Sequence, residues 1–157
     1  MKAKVVITTD SIVITLIKMK KKFRSGCPIA STLDVVGDKW SLLIIRDMLL
    51  NHKKTFKELS LSDEKIAPSI LSARLKLLES FKLISKTKIP ENKKENIYML
   101  TENGIRLTPI IIEFSLWGDT NMREFNKIDD IEGLNSDKSY VIQSVQDSYN
   151  SMLLNFR

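Results

Sequence analysis

A mainly α-helical fold carrying one small β-hairpin is predicted by three features of this chain. From Cys27 to Gly104, two helix-spaced apolar segments are followed by a basic hairpin and then by a further helix start. Within that stretch, the run from Ile66 to Glu79 places apolar residues on one helical face and small or basic ones on the other. Beyond it, the run from Glu102 to Phe125 is apolar over too much of its circumference for a surface helix of a monomer. Helix, short turn, helix, hairpin is the order of a winged helix-turn-helix, here an α+β arrangement followed by terminal helices suited to dimerisation. The 157 residues suffice for one domain with a real core and are short for two. The expected organisation is a basic N-terminal arm over 1–24 and a winged helix-turn-helix DNA-binding domain over 25–104. A dimerisation helix and a C-terminal helix over 105–157 complete the same structural unit.

Each element follows from local chemistry. Val5 to Ile17 is rich in β-branched residues but interrupted by Thr8, Thr9, Asp10 and Ser11. Lys18, Lys20, Lys21, Lys22 and Arg24 follow it instead of a small-residue cleavage site, so it reads as a strand or an irregular arm, not as a signal peptide or a membrane span. Pro28 suits the first turn of a helix running to Val36, and Gly37 suits its stop. Asp38 then caps a helix from Lys39 to Leu50, with Trp40, Leu43, Ile44 and Met48 at core spacing. Thr55-Phe-Lys-Glu58 has capping-box spacing and opens a short helix ending near Leu61. Ser62 to Lys65 make a turn, and Pro68 starts a helix that ends around Phe81.

From Leu83 to Ile89, and again from Asn96 to Leu100, the apolar period shifts toward two, with the polar tip Pro90–Glu95 between them. Thr101 caps one further helix, continuous to Phe125. After a polar linker, Asp129 to Asp137, a last helix places Val141, Val145, Tyr149, Met152 and Phe156 at spacings of three and four.

The helix after Pro68 is the candidate recognition element. An α-helix advances about 100° per residue, so with Ser69 at zero, Leu71, Leu75 and Leu78 fall at roughly 180 to 240° and face a core. Ser69, Ser72, Ala73 and Lys76 cluster within about 60° of zero. Small residues there let the backbone approach a groove wall, Ser72 can donate to a base edge or phosphate, and Lys76 can neutralise a phosphate. Arg74 sits near 140°, leaning toward the core, and reads first as a structural ion-pairing arginine and second as a DNA contact.

The formal net charge of +6 would look like a nucleic-acid signature if it were spread evenly. Residues 1–24 hold seven Lys/Arg against one Asp, 25–125 hold fifteen against thirteen, and 126–157 hold three against five. The excess lies in the arm, where it either attracts phosphates or merely solubilises, so DNA binding has to be argued from where charges sit. The same near-neutral core leaves open an alternative, a winged-helix protein-interaction module without DNA binding.

One cysteine excludes an intramolecular disulfide, and one histidine leaves no His/Cys metal cluster, so the expectation is no metal and no cofactor, in a reducing cytoplasm. An enzyme is not expected: there is no glycine-rich phosphate loop, and Cys27 and His52 are 25 positions apart with no orienting partner. His52 reads as a surface residue. Cys27 precedes Pro28 at a helix start, where the positive end of the dipole favours negative charge on sulfur; it is either a redox sensor or a small buried hydrophobe. Ile111, Phe114 and Trp117 are the expected dimerisation residues, on the ground that they cannot all turn inward. Trp40, Phe114 and Trp117 read as core more readily than as a ligand pocket.

Read together, the motifs resemble the HxlR-type family of winged helix-turn-helix transcriptional regulators, over roughly Cys27 to Glu124. The residues that carry the resemblance are Cys27-Pro28 with Leu33-Asp-Val-Val-Gly-Asp-Lys-Trp40, Phe56-Lys-Glu-Leu59, Ile66-Ala67, Ile70-Leu71, Arg74-Leu75, Tyr98-Met-Leu-Thr101 with Gly104, and Trp117-Gly118. The resemblance implies a cytoplasmic homodimer that binds double-stranded DNA at a palindromic operator, with wing contacts from Lys88, Lys93 and Lys94, which by residue type alone read equally as a solvated lysine-rich turn. Some members of that family respond to oxidants or electrophiles through the cysteine at the position of Cys27, and a small-molecule inducer is a further expected partner. The chain departs from the family at Lys82, where a glycine commonly precedes the first wing strand, and at Pro68-Ser69, where larger polar or basic residues are common.

Overall fold

The computed structural model describes residues 23–88, 95–127 and 137–155. Contacts divide the chain into two units, Met1–Asp34 and Val35–Arg157. In the first, the described segment is closed by an ion pair from Arg24 Nε to Asp34 Oδ1 (2.5 Å), with the Arg24 N–H donating to Asp34 Oδ2 (3.2 Å). Helix α1, Pro28–Val36, begins here and carries two exposed apolar side chains one turn apart, Ile29 and Leu33.

In the second unit, α2 spans Ser41–Leu50. The helix starts two residues later than the spacing predicts, its N-cap is Trp40, and Asp38 caps the turn before it instead of the helix itself. Asp38 Oδ1 accepts from the N–H groups of Trp40 (2.9 Å) and Ser41 (3.1 Å), and Oδ2 accepts from Ser41 Oγ (2.5 Å), which keeps residues 39 and 40 in a turn. Helix α3, Phe56–Ser60, has the full capping box: the Glu58 N–H donates to Thr55 Oγ1 (3.2 Å) and the Thr55 N–H to Glu58 Oε2 (2.8 Å). Helix α4, Pro68–Ser80, buries Leu71, Leu75 and Leu78 in a core cluster that also holds Ile45, Met48 and Leu49.

The end of α4 explains the departure at Lys82. The Leu83 N–H reaches back to the Leu78 carbonyl (3.0 Å) and the Lys82 N–H to the Glu79 carbonyl (2.9 Å), the bond pattern of a Schellman cap. That pattern needs a left-handed residue, and Lys82 supplies it at φ +56°.

Strands β1, Ile84–Lys88, and β2, Asn96–Leu100, pair antiparallel from Ile84↔Leu100 to Lys88↔Asn96. The other edge of β2 meets the chain before α3: the Tyr98 N–H donates to the Lys54 carbonyl (2.7 Å), and Thr55 bridges Ile97. The hairpin is thereby rooted beside the helix-turn-helix. Gly104 completes that root, because a Cβ there would lie 2.1 Å from the Leu83 carbonyl oxygen.

The predicted continuous helix after Thr101 is broken in two, α5 over Glu102–Ile105 and α6 over Thr108–Asn121. Pro109 is the cause: it has no N–H, and in a continuous helix its ring would strike the carbonyl four residues back, at Ile105. That carbonyl accepts from Thr108 Oγ1 instead (2.6 Å). Helix α7, Lys138–Asn155, lies against α2 and α6. It is more than a flanking helix for a dimer, since Tyr149 is 1% exposed and its hydroxyl accepts from the Leu100 N–H (2.8 Å). Phe156, expected on the same face, lies outside the described residues.

Candidate nucleic-acid interface

Helix α4 divides as its periodicity predicts. Ser69, Ala73 and Lys76 are exposed, Ser72 is half-buried beside them, and the leucines opposite are sealed in the core. Two hydroxyls, a methyl and one ammonium leave the helix backbone accessible, which is what close approach to a groove requires. Arg74 lies between the two faces. Its Nη1 is 3.3 Å from Asp38 Oδ2, while its Nε is buried without a hydrogen-bond partner. Burial of the Asp38 carboxyl works against ionisation, yet hydrogen bonds from Ser41 Oγ and the Trp40 N–H, with the Arg74 charge, hold it below the usual carboxylate range. The ion-pairing reading of Arg74 is therefore the one the contacts match.

On the wing, Lys88 is exposed at the end of β1; Lys93 and Lys94 lie outside the described residues. Lys86, which the sequence reading passed over, is exposed two positions before Lys88 and places its ammonium 6.0 Å from the Tyr98 ring centroid. The signal was present, since residues two apart on a strand share a face. Lys39, also passed over, sits over the Trp40 ring at 4.8 Å.

On α6, the expected trio separates. With Thr108 at zero, Ile111 and Ile112 fall within about 60° of it, whereas Phe114 and Trp117 lie about 120° and 180° away. Thr108, Ile111 and Ile112 accordingly enter the chain's own core, so Ile111, 5% exposed, is corrected from a dimerisation residue to a core residue. Phe114 (63%) and Trp117 (59%) remain exposed and, with Glu113, line an open groove of about 450 Å³. Trp40 instead lines a separate recess with Leu43 and Ile66.

Cys27 is exposed at the start of α1, its carbonyl accepting from the Ser31 N–H (2.9 Å) and its own N–H donating to Ser25 Oγ (3.2 Å). It is not packed as a buried hydrophobe. His52 is half-buried rather than a surface residue: its backbone is left-handed (φ +50°), its ring meets Tyr149 edge-on at 6.1 Å, and Nε2 is 3.4 Å from Ser148 Oγ. Among the described residues no group of three His, Cys, Asp or Glu could hold a metal ion, and no helix is long and apolar enough to cross a membrane.

Residues 35–126 match the family described as HxlR-like helix-turn-helix. The HTH-type transcriptional regulator YodB of Bacillus subtilis is 34% identical over 94 residues, 59% of this chain and 83% of YodB. Its reduced form superposes with a TM-score of 0.52 at 28% identity, over 65% of this chain and all (100%) of that one; a quinone-bound form gives 0.50 at 29% identity, over 60% and 99%. The redox regulator HypR in its oxidized form gives 0.54 at 29% identity, over 67% of this chain and 100% of HypR. PA1607, a putative transcription factor by its description, gives 0.60 at 28% identity, over 73% and 80%.

Proposed function

The chain belongs to the HxlR-like helix-turn-helix family of transcriptional regulators, and from that premise we propose that it binds a palindromic DNA operator as a homodimer in the cytoplasm. The observation that carries this reading is the outward face of α4, where Ser69, Ser72, Ala73 and Lys76 leave the helix free to enter a major groove. Lys88, together with Lys86, supplies phosphate contacts from the wing, with Lys93 and Lys94 assigned the same role from sequence. Phe114 and Trp117 of each copy cover one another across the two-fold axis, because two exposed aromatics one turn apart on a helix need a partner.

The test is to recover the DNA that the chain retains from its own genome and to follow the gel shift across salt. Phosphate contacts make the affinity fall steeply as salt rises. A shift that ignores salt, or equal competition by random duplex, favours the protein-interaction module that the near-neutral core allows.

Regulation through Cys27 is the second part of the proposal. Its exposure at a helix start supports it, as do relatives known in reduced, oxidized and quinone-bound forms. Quinone or oxidant releases the operator from the wild type and not from Cys27→Ser; equal release from both locates the sensor elsewhere. As Cys27 is the only cysteine, any disulfide joins two copies or a small thiol, which non-reducing electrophoresis separates.

A further inference from the structure

The carboxylate of Asp47 is buried in α2, its side chain 2% exposed, and it carries two cations that lead in different directions. One is Arg46. Its Nε (2.9 Å) and Nη2 (2.6 Å) donate to Asp47 Oδ1, while Nη1 donates to Glu64 Oε1 (2.7 Å) and Nη2 also to Glu64 Oε2 (3.0 Å). Glu64 is in the turn between α3 and α4, where Ser62 Oγ donates to it as well. The other cation is Lys53, whose Nζ is 2.7 Å from Asp47 Oδ2. Lys53 immediately precedes the segment that pairs with β2, through the Lys54 carbonyl and the Thr55–Ile97 bridge. One buried carboxylate is therefore tied through Arg46 to the turn that launches α4, and through Lys53 to the root of the wing.

This arrangement has a consequence for DNA reading. Helix α4 and the hairpin meet the duplex at separate places, so their relative placement decides whether both sets of contacts form at once. Leucines packed in a core resist separation but do not by themselves fix the roll of a helix, whereas forked hydrogen bonds to a carboxylate are directional. Neither the Arg46 fork nor the Lys53 bond involves a side chain of the outward face of α4 or of the hairpin. The hydrogen bonds from Arg46 hold the Glu64 carboxyl down to about 2, so this arm stays charged throughout the neutral range.

Building on the proposed operator binding, we infer that Glu64, Arg46, Asp47 and Lys53 are positioning residues, a relay that sets the recognition helix and the wing in register for sequence-specific contact without touching DNA themselves. Arg46 and Lys53 look like candidate phosphate contacts by residue type. Their ammonium and guanidinium are turned inward to carboxylates.

The experiment measures affinity of the full chain for its recovered operator and for a random duplex, across salt, in Glu64→Gln, Lys53→Met and the double variant. The relay predicts about a tenfold loss on the operator for each single variant, with random-duplex affinity and salt slope unchanged. It also predicts a loss in the double variant smaller than the product of the single losses, because both arms act through Asp47. If Glu64→Gln does not fold, Arg46→Lys carries the test, since it keeps the charge but loses the fork. An unchanged ratio of operator to random affinity, even with a lowered melting temperature, overturns the proposal and leaves the relay a purely structural brace. A salt slope reduced by about one in Lys53→Met makes Lys53 a phosphate contact and overturns it too. Wild type that prefers no duplex removes the operator-binding reading on which the relay rests, and that result is distinguishable from the other two.

Discussion

Helices α4 and α6 are built alike on their inner sides and differ on their outer ones. Both sink three side chains into the same unit, Leu71, Leu75 and Leu78 from one and Thr108, Ile111 and Ile112 from the other. Outward, α4 shows Ser69, Ala73 and Lys76, and α6 shows Phe114 and Trp117. A face of small polar residues costs little to leave in water and lets a polyanion come close, whereas two aromatics on a surface are unfavourable until something apolar covers them. On the proposed function, the outer face, which contributes nothing to the core, is where each helix meets its partner.

The largest expected effect falls on α6. Phe114→Ala with Trp117→Ala removes two large apolar side chains from each copy, and burying one is worth about 1.5 to 3 kcal/mol. On the proposed dimer, analytical ultracentrifugation shows the wild type as dimer and the variant as monomer at the same concentration, and operator affinity falls with it. A variant that stays dimeric and binds normally places the interface on another helix. The Ile111→Ala change sharpens the comparison: with Ile111 in the core it costs about 2 to 5 kcal/mol in thermal or urea unfolding of the single chain.

Next come changes on the outer face of α4. Ser72→Ala and Lys76→Ala shift operator preference by about 1 to 3 kcal/mol at the bases they reach and leave the oligomeric state untouched. Selection from a randomised duplex pool reads this. Uniform weakening across all sequences instead makes Lys76 a phosphate contact.

How far these faces were legible in the sequence depends on how local their causes are. Thr55, Pro68 and Thr101 announce helix starts because each bonds within three residues or fixes its own φ, and the inward leucines of α4 follow from periodicity alone. The break before Pro109 is just as local, but the strong apolar run around it masks it. Periodicity puts Tyr149 on the inward face of its helix, but nothing nearby in sequence says that its hydroxyl meets Leu100, 49 positions away. The link from Arg46 to Glu64 across 18 positions was illegible for the same reason. Helical spacing groups Ile111 with Phe114 and Trp117, since it says which residues are near one another without saying where the core lies.

Two smaller effects test the scaffold between the faces. Lys82→Gly relieves a left-handed lysine and raises stability by about 1 kcal/mol at most in urea unfolding, the gain limited by the extra freedom of glycine in the unfolded chain. A loss of stability shows that the lysine side chain contributes more than its backbone costs. Smallest is the pH response of the Arg46–Glu64 pair, because Glu64 is 34% exposed and partly screened. Its folded pKa, about 2, lies below the ordinary 4.5, so the pair's contribution is full above 4.5 and is lost as pH falls from there toward 2. Glu64→Gln flattens the stability profile across that window, and a profile identical to wild type means that the pair adds nothing measurable.

The claim that α4 reads DNA while α6 joins the copies is tested most directly by the spacing of the operator's half-sites. A two-fold dimer presents its recognition helices about 34 Å apart, one helical turn of DNA. Inserting about five base pairs between the half-sites rotates one to the far side of the duplex while leaving both sequences intact. Affinity measured by fluorescence anisotropy should fall to that of a duplex carrying a single half-site on this insertion and recover in large part when about ten are inserted. Affinity that does not change with the insertion would mean that each copy binds alone, and would contradict the division of labour between the two helices.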